Sequence, residues 1–376
     1  MRRMDRTTLA EFLGDAVVYR NLTPLDPRLP RYAELADRAG LPPDIAPRKS
    51  DPGYARVVAE LVRSAARLCG TSGSVERILF VGDTRGNDAT AFGRLCAEGG
   101  WPGIGFIGCE ELAEPAAWEA WKDGDRVLLL ATRWRLLDEI DSFCGARGFP
   151  IDARTAVLID LDKTAIGARG RNDRAVDRAR IDAIQRTAEE LLGSAPGWDD
   201  CRALYDRLNR AEFHRVTADS QDVVAAICLA IVGGMIPPEA VGEDGLANDL
   251  CERFGGADRR IGSIPGPVGD ILLHCRSGGD AGVSPEFGAF RRNEYEATIR
   301  RMGRLPDGVS RERLLAEEIT ITEEVRAAAL RWRDRGVTLL GLSDKPDAAS
   351  LPADALAAAG YRPLHRTEAR VIGGAD

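Results

Sequence analysis

Two short apolar runs that each end on a carboxylate constrain this chain more than any other feature. Arg77-Ile-Leu-Phe-Val-Gly leads into Asp83, and Ala156-Val-Leu-Ile leads into Asp160. Runs of this length, bounded by polar turns, read as buried strands. Similar runs at Ile104 to Ile107, Val127 to Ala131 and Val337 to Leu342 alternate with helical patterns, which predicts an α/β fold on a parallel sheet. Open parallel sheets collect ligands beyond the carboxyl ends of their strands, so both acids are expected in a crevice.

The helical signals between the runs are well punctuated. Asp51-Pro52 opens a helix with Tyr54, Val57, Val58, Leu61, Val62 and Ala65 on one face, and Gly70 stops it. A second helix is expected from Asn87 to Glu98. Thr320-Ile-Thr-Glu323 reads as a capping box ahead of Val325, Ala328, Ala329 and Trp332, with Gly336 at the far end. Between about Ala165 and Glu318 the pattern changes to long amphipathic segments such as Asp182 to Leu192 and Asn293 to Met302, and Val223 to Ile236 reads as a buried helix. The expected organisation is an N-terminal extension over 1–45, an α/β core over 46–165 and 320–376, and a mostly helical insert over 166–319.

Four motifs carry chemistry. Asp160-Leu-Asp162-Lys-Thr164 places two carboxylates one residue apart at a strand end, where one can attack and the other can move protons. Gly82-Asp83-Thr-Arg-Gly-Asn87-Asp88 adds hard oxygen ligands of the kind Mg²⁺ prefers. Lys49 precedes a helix and can offer its ammonium to a phosphoryl group or a carboxylate. Ser343, in Leu342-Ser-Asp-Lys-Pro346, can donate to a phosphoryl oxygen. Each motif taken alone has an ordinary turn or surface reading; together they point one way.

The set resembles the signature of the haloacid dehalogenase superfamily. Asp160 to Thr164 looks like its first motif, Ser343 its second, Lys49 its third, and Asp83 with Asp88 its fourth, Asn87 being an alternative to Asp88. The order along this chain is third, fourth, first, second, which is that of a circular permutation, tolerated where chain ends lie together at a surface. In phosphoglycolate-phosphatase-like members, Arg370-Val-Ile-Gly-Gly-Ala-Asp376 would correspond to the strand ahead of the third-motif lysine. The resemblance implies a Rossmann-like core with a helical cap, and a Mg²⁺-dependent phosphatase that acts on a small phosphorylated metabolite through an aspartyl-phosphate. In it Asp160 is the nucleophile, Asp162 the acid and base, Lys49 and Ser343 stabilise phosphoryl oxygens, and Asp160, Asp162, Asp83 and Asp88 hold the metal. A phosphomutase or phosphotransferase of the same fold, or a non-catalytic phosphoester-binding protein, are the alternatives.

Thr164 and the arginines that follow, Arg169 and Arg171 foremost with Arg174, Arg178 and Arg180, are candidates to grip a second anionic group. Interspersed Asp173, Asp177 and Asp182 support instead a salt-bridged helix. Gly103-Ile-Gly105-Phe-Ile-Gly108 matches a dinucleotide-binding pattern, but its apolar residues read as a strand.

Composition trims the field. A net charge of −8 argues against nucleic-acid or anionic-membrane partners. Eight scattered cysteines without paired spacing read as reduced thiols of a cytoplasmic protein, and no apolar run is long enough to span a bilayer. The three histidines, His214, His274 and His365, share no metal-ligand spacing.

Overall fold

A computed structural model of the chain describes residues 5–49, 51–70, 74–193, 197–210, 213, 217, 221–234 and 287–374. The described strands are β1 (Arg6–Thr7), β2 (Val17–Val18), β3 (Arg77–Gly82), β4 (Gly103–Gly108), β5 (Trp118–Asp123), β6 (Arg126–Ala131), β7 (Thr155–Asp160), β8 (Ile321–Thr322), β9 (Thr338–Leu342) and β10 (Ala369–Ile372).

Seven of them form one sheet in the order β2-β9-β7-β3-β4-β6-β5. Every neighbouring pair is parallel except β5 against β6. The central strands β7, β9 and β3 are apolar on both faces, and Ile78, Leu79, Ala156 to Ile159 and Leu340 are all fully buried. That two-sided burial is why they appear in the sequence as unbroken apolar runs rather than alternating ones. Truncating one such side chain, Leu158→Ala for instance, would cost about 2–5 kcal/mol.

Helices pack on the sheet as their periodicity predicts. The helix Pro52–Leu68 buries Tyr54, Val57, Val58, Leu61, Val62 and Ala65 against β3 and β9 neighbours, and the helix Asn87–Gly99 adds Phe92, Leu95 and Cys96 to the same core. The helix Glu323–Asp334 buries Val325, Ala328, Ala329 and Trp332. Its start differs from the expected capping box. Thr320 and Ile321 are still extended, Thr322 stands at the N-cap, and the Thr320 hydroxyl donates instead to Asn172 while that of Thr322 donates to the Thr164 carbonyl. Both threonines stitch this segment to the loop after β7.

One further expectation is corrected. Arg370-Val-Ile does not lead toward Lys49 in the main sheet: β10 pairs with β1 and β8 in a separate three-stranded sheet. The position beside β9 is filled by Val17–Val18. A buried ion pair from Arg370 to Glu318 at 3.0 Å anchors β10 where it is. Asp376 lies outside the described residues. The Gly103–Gly108 segment is strand β4, as its apolar residues indicate.

The chain divides into two compact units, one comprising Met1–Val176, Arg301–Ser350 and Arg362–Asp376, the other Asp177–Arg300 and Leu351–Tyr361. The first carries both sheets. The described part of the second is helical, its core built on Ile184, Tyr205, Leu208, the apolar helix Gln221–Val232 and Phe290. No helix among the described residues is long and apolar enough to cross a membrane. Cysteines 69, 96, 109, 144, 201 and 228 are free thiols; Cys251 and Cys275 lie outside the described residues.

Candidate active site

The strand order sets the site. Because β7 lies between β9 and β3, the residues leaving their carboxyl ends, Asp160, Ser343 and Asp83, emerge side by side. Asp160 is in register with Leu342, so Ser343 is one step beyond it on the adjacent strand. Ser343 is buried; its amide donates to the Val18 carbonyl at 2.9 Å and its hydroxyl oxygen accepts from the Lys345 amide at 3.0 Å.

Lys49 comes from the turn ahead of the helix Pro52–Leu68. The Asp51 carboxylate accepts from the Arg48 amide at 2.8 Å, and Asp344 accepts a hydrogen bond from the Lys49 backbone, so the turn is tied both to its helix and to the exit of β9. The Lys49 ammonium is thereby held 2.6 Å from Asp160 Oδ1 and 2.6 Å from Asp88 Oδ1. The Phe80 ring lies beneath it, 5.7 Å from the ammonium to the centroid.

Asp88 is locked more tightly than any other acid in the site. Its Oδ2 accepts from the Asp83 amide, the Thr84 amide and the Thr84 hydroxyl, each at 2.9 Å, while the Asp88 amide donates back to Thr84 at 3.1 Å. This reciprocal arrangement satisfies a first-turn amide of the helix Asn87–Gly99 and ties the helix to the turn after β3. It requires glycine at position 82, where a Cβ would stand 2.7 Å from the Asp88 carboxylate carbon. Between Asp83 and Arg169 the distance is 2.5 Å from Oδ2 to Nε. Arg169 is itself pinned by its carbonyl, which accepts from Trp134 Nε1 at 3.1 Å and from the Glu110 amide at 3.0 Å.

The loop after β7 turns at Lys163, whose φ of 63° is the left-handed conformation non-glycine residues seldom adopt. Asp162 is half-buried in this turn, with its backbone paired to Ile166. Thr164 is fully buried and its hydroxyl has no hydrogen-bond partner.

Carboxylate oxygens of Asp83, Asp88 and Asp160 lie within 4.8 Å of one another. Burial raises the Asp83 pKa to about 7, helped by the Asp88 charge. Burial also pushes Asp160 well above the usual carboxylate range, with Asp88 and Asp83 adding to the rise and Lys49 opposing it. For Asp88, burial acts upward too, but the Lys49 charge and the hydrogen bonds outweigh it and bring the group down to about 2. Lys49 stays protonated because Asp160 and Asp88 outweigh the effect of its own burial.

Three acids faced by Lys49 and Arg169 leave one negative charge over, and Asp160 Oδ2 is buried with no hydrogen-bond partner. A hard cation answers both defects, since it takes several carboxylate oxygens and lowers the cost of keeping them ionised together. The donor set fits such an ion without selecting Mg²⁺ over other divalent cations.

The structure therefore brings together Lys49, Asp83, Asp88, Asp160 and Ser343 from four separate stretches of sequence, with Arg169 on Asp83. Arg171 is placed otherwise. Its guanidinium donates to Glu110 at 2.6 Å, to Glu324 at 2.8 and 2.9 Å and to the Ile372 carbonyl at 3.1 Å, all within a nearly closed interior. Arg180 pairs with Glu294 and Asp177 inside the helical unit. His365 pairs with Asp15 at 3.0 Å, away from these residues in sequence and contact, and His214 and His274 lie outside the described residues. Sequence reasoning passed over Thr84 and Tyr54. The Thr84 hydroxyl orients Asp88, and the buried Tyr54 phenol is close enough to feel the Lys49 charge. Thr84 was readable as a hydroxyl in the turn ahead of the helix Asn87–Gly99, two residues before its N-cap Gly86; Tyr54 looked like one more apolar position on its helix.

The chain matches no family model, no curated protein and no solved structure among those compared.

Proposed function

We propose that this chain is a metal-dependent phosphoric monoester hydrolase with Asp160 as its nucleophile. One observation carries the reading: Lys49, 111 residues distant in sequence, bridges Asp160 and Asp88 with a 2.6 Å contact to each. A buried carboxylate at a strand end, a lysine upon it and further acids beside it form the set that the resemblance to the haloacid dehalogenase superfamily calls for. The helical second unit is read as that family's cap on the resemblance alone.

In this reading an Asp160 oxygen attacks phosphorus, the ester P–O bond breaks, and the departing alkoxide takes a proton from Asp162. Asp162, now a carboxylate, removes a proton from a water whose oxygen attacks phosphorus in turn. The acyl-phosphate P–O bond breaks, releasing inorganic phosphate and restoring the Asp160 carboxylate. Lys49 and Ser343 offset charge on the non-reacting phosphoryl oxygens, a contribution that is mostly preorganised electrostatics. A divalent cation such as Mg²⁺, held by Asp83, Asp88 and Asp160, would supply the neutralisation that lets an anionic nucleophile approach an anionic phosphoryl group. Arg169 fixes Asp83, and Thr84 fixes Asp88.

The test is phosphate release from a panel of small phosphomonoesters and an aryl phosphate, with and without Mg²⁺, in wild type and Asp160→Asn. Metal-dependent release that disappears in the variant is the expected result. A folded wild-type protein that releases no phosphate from any ester would sink the proposal. Phosphoryl transfer to a second hydroxyl in place of release would turn it toward a mutase.

A further inference from the structure

We infer that the outer edge of β5 pairs with the same edge of a second copy of this chain, antiparallel about a twofold axis at Ala120, joining two sheets into one. The inference is independent of the phosphatase reading. β5 is the last strand of the seven-stranded sheet, and Glu119 to Asp123 are all exposed. The opposite edge is treated differently. There β2 is only Val17–Val18, both buried, and the chain that follows closes its outer side: Val18 bridges to Pro24, and the Leu25 amide donates to the Val17 carbonyl at 3.0 Å. A very short strand and a proline are ways in which sheets protect an edge from a second chain. Among the described residues, β5 pairs with no strand but β6.

The register of β5 on β6 fixes which backbone groups are free. The Ala117 carbonyl accepts from the Thr132 amide at 3.0 Å, and the ladder continues through Glu119 opposite Leu130, Trp121 opposite Leu128 and Asp123 opposite Arg126. In an antiparallel pair each residue turns both backbone groups to one side and its neighbour turns them to the other. Trp118, Ala120 and Lys122 therefore present theirs at the open edge.

Two copies meeting there must set residues of the same face opposite each other, which centres the axis on a residue. Centring on Glu119, Lys122 or Asp123 sets a charge against itself, and centring on Trp121 sets Glu119 against Asp123; each is unfavourable. Centring on Ala120 avoids all of these. It places Lys122 of one copy opposite Trp118 of the other, an ammonium against an indole that rests on Phe143 at 5.3 Å between ring centroids. On the other face it sets Trp121 opposite Glu119 and diagonal to its own equivalent, within reach of an aromatic side chain. Trp121, 57% exposed in the single chain, is thereby covered. The strand is complementary to itself about its own centre, which fits a second copy as the occupant. Because the far edge of this sheet is closed, the pairing stops at two.

Sedimentation of the full chain from micromolar to millimolar concentration tests the pairing. A monomer–dimer equilibrium is expected, with residue-resolved amide exchange slowing on association most at Trp118, Ala120 and Lys122. Ala120→Pro removes an amide that β6 does not use, so the monomer should keep its fold while association weakens by about tenfold or more. Glu119→Lys leaves the backbone alone and sets a cation opposite Trp121 and diagonal to Asp123 of the second copy; it should tighten association by about threefold or more. A chain that stays monomeric at millimolar concentration overturns the inference. So does a dimer that folded Ala120→Pro leaves intact, or one that Glu119→Lys fails to tighten. Should Ala120→Pro not fold, the exchange pattern and Glu119→Lys decide the matter between them.

Discussion

Two places in the first unit bury one cation between two acids, with opposite results. Lys49 lies between Asp88 and Asp160; Arg171 lies between Glu110 and Glu324. Arg171 spreads its donors in a planar fork over both glutamates and a carbonyl, and Glu324 also accepts from the Gly374 amide at 2.8 Å. Although burial acts upward on Glu324, the hydrogen bonds and charge of Arg171 hold its pKa below the ordinary value. Lysine is a compact point charge. It meets one oxygen of each acid, leaves Asp160 Oδ2 without a partner, and has a third acid beside it, so Asp160 is pushed upward where Glu324 is brought down. A satisfied buried ion pair organises a fold; an unsatisfied one has capacity left for a ligand.

The comparison can be broken at several points. On the phosphatase proposal, the largest effect on turnover belongs to Lys49→Met, expected to lower phosphate release by about 10²–10³-fold, as loss of a preorganised charge partner does in other active sites; retention of near-wild-type kcat would remove Lys49 from the chemistry. Arg171→Met should act on stability instead. Leaving Glu110 and Glu324 without their cation is expected to cost about 3–5 kcal/mol, read as a lower denaturant midpoint, while kcat per folded molecule changes little. A large fall in kcat with unchanged stability would make Arg171 a substrate residue after all. Next in size, Mg²⁺ should stabilise the native state by about 1–3 kcal/mol when well above its Kd, read as a higher melting temperature. Asp83→Asn should abolish that gain and Arg171→Met should keep it.

The smallest effect is one of pH. Glu324 has a depressed folded pKa, so its contribution to stability is present above its ordinary value of 4.5 and is lost as pH falls through the lower folded value. Denaturation midpoints measured from pH 6 downward should therefore fall less steeply in Glu324→Gln than in wild type. Parallel slopes would mean that the acid is not depressed.

How much of this was visible in the sequence depends on the range of the interaction. Strands β3, β7 and β9 announce themselves because both faces are buried, and their terminal acids follow from the strand ends. Lys49, Asp83, Asp88, Asp160 and Ser343 could be named from motif resemblance. Strand β2 could not, because a two-residue Val17–Val18 pair has no period to detect and is a strand only through its pairing with β9. The misplacement of Arg370–Ile372 has the same origin. Its local pattern is that of a strand, but which sheet it joins depends on Glu318 and on β1 and β8, distant in the chain. Arg169 and Arg171, two positions apart and chemically alike, differ in role because of what faces them, Asp83 for one and two glutamates for the other.

The close approach of Asp88 to Gly82 has a consequence for how this protein tolerates change. Position 82 contributes no functional group, yet even alanine there would drive a methyl into the carboxylate that Lys49 grips. A saturation library scored for activity should record this silent residue as among the least permissive in the chain. Such a library would reveal the outline of the site through a residue that never touches a substrate.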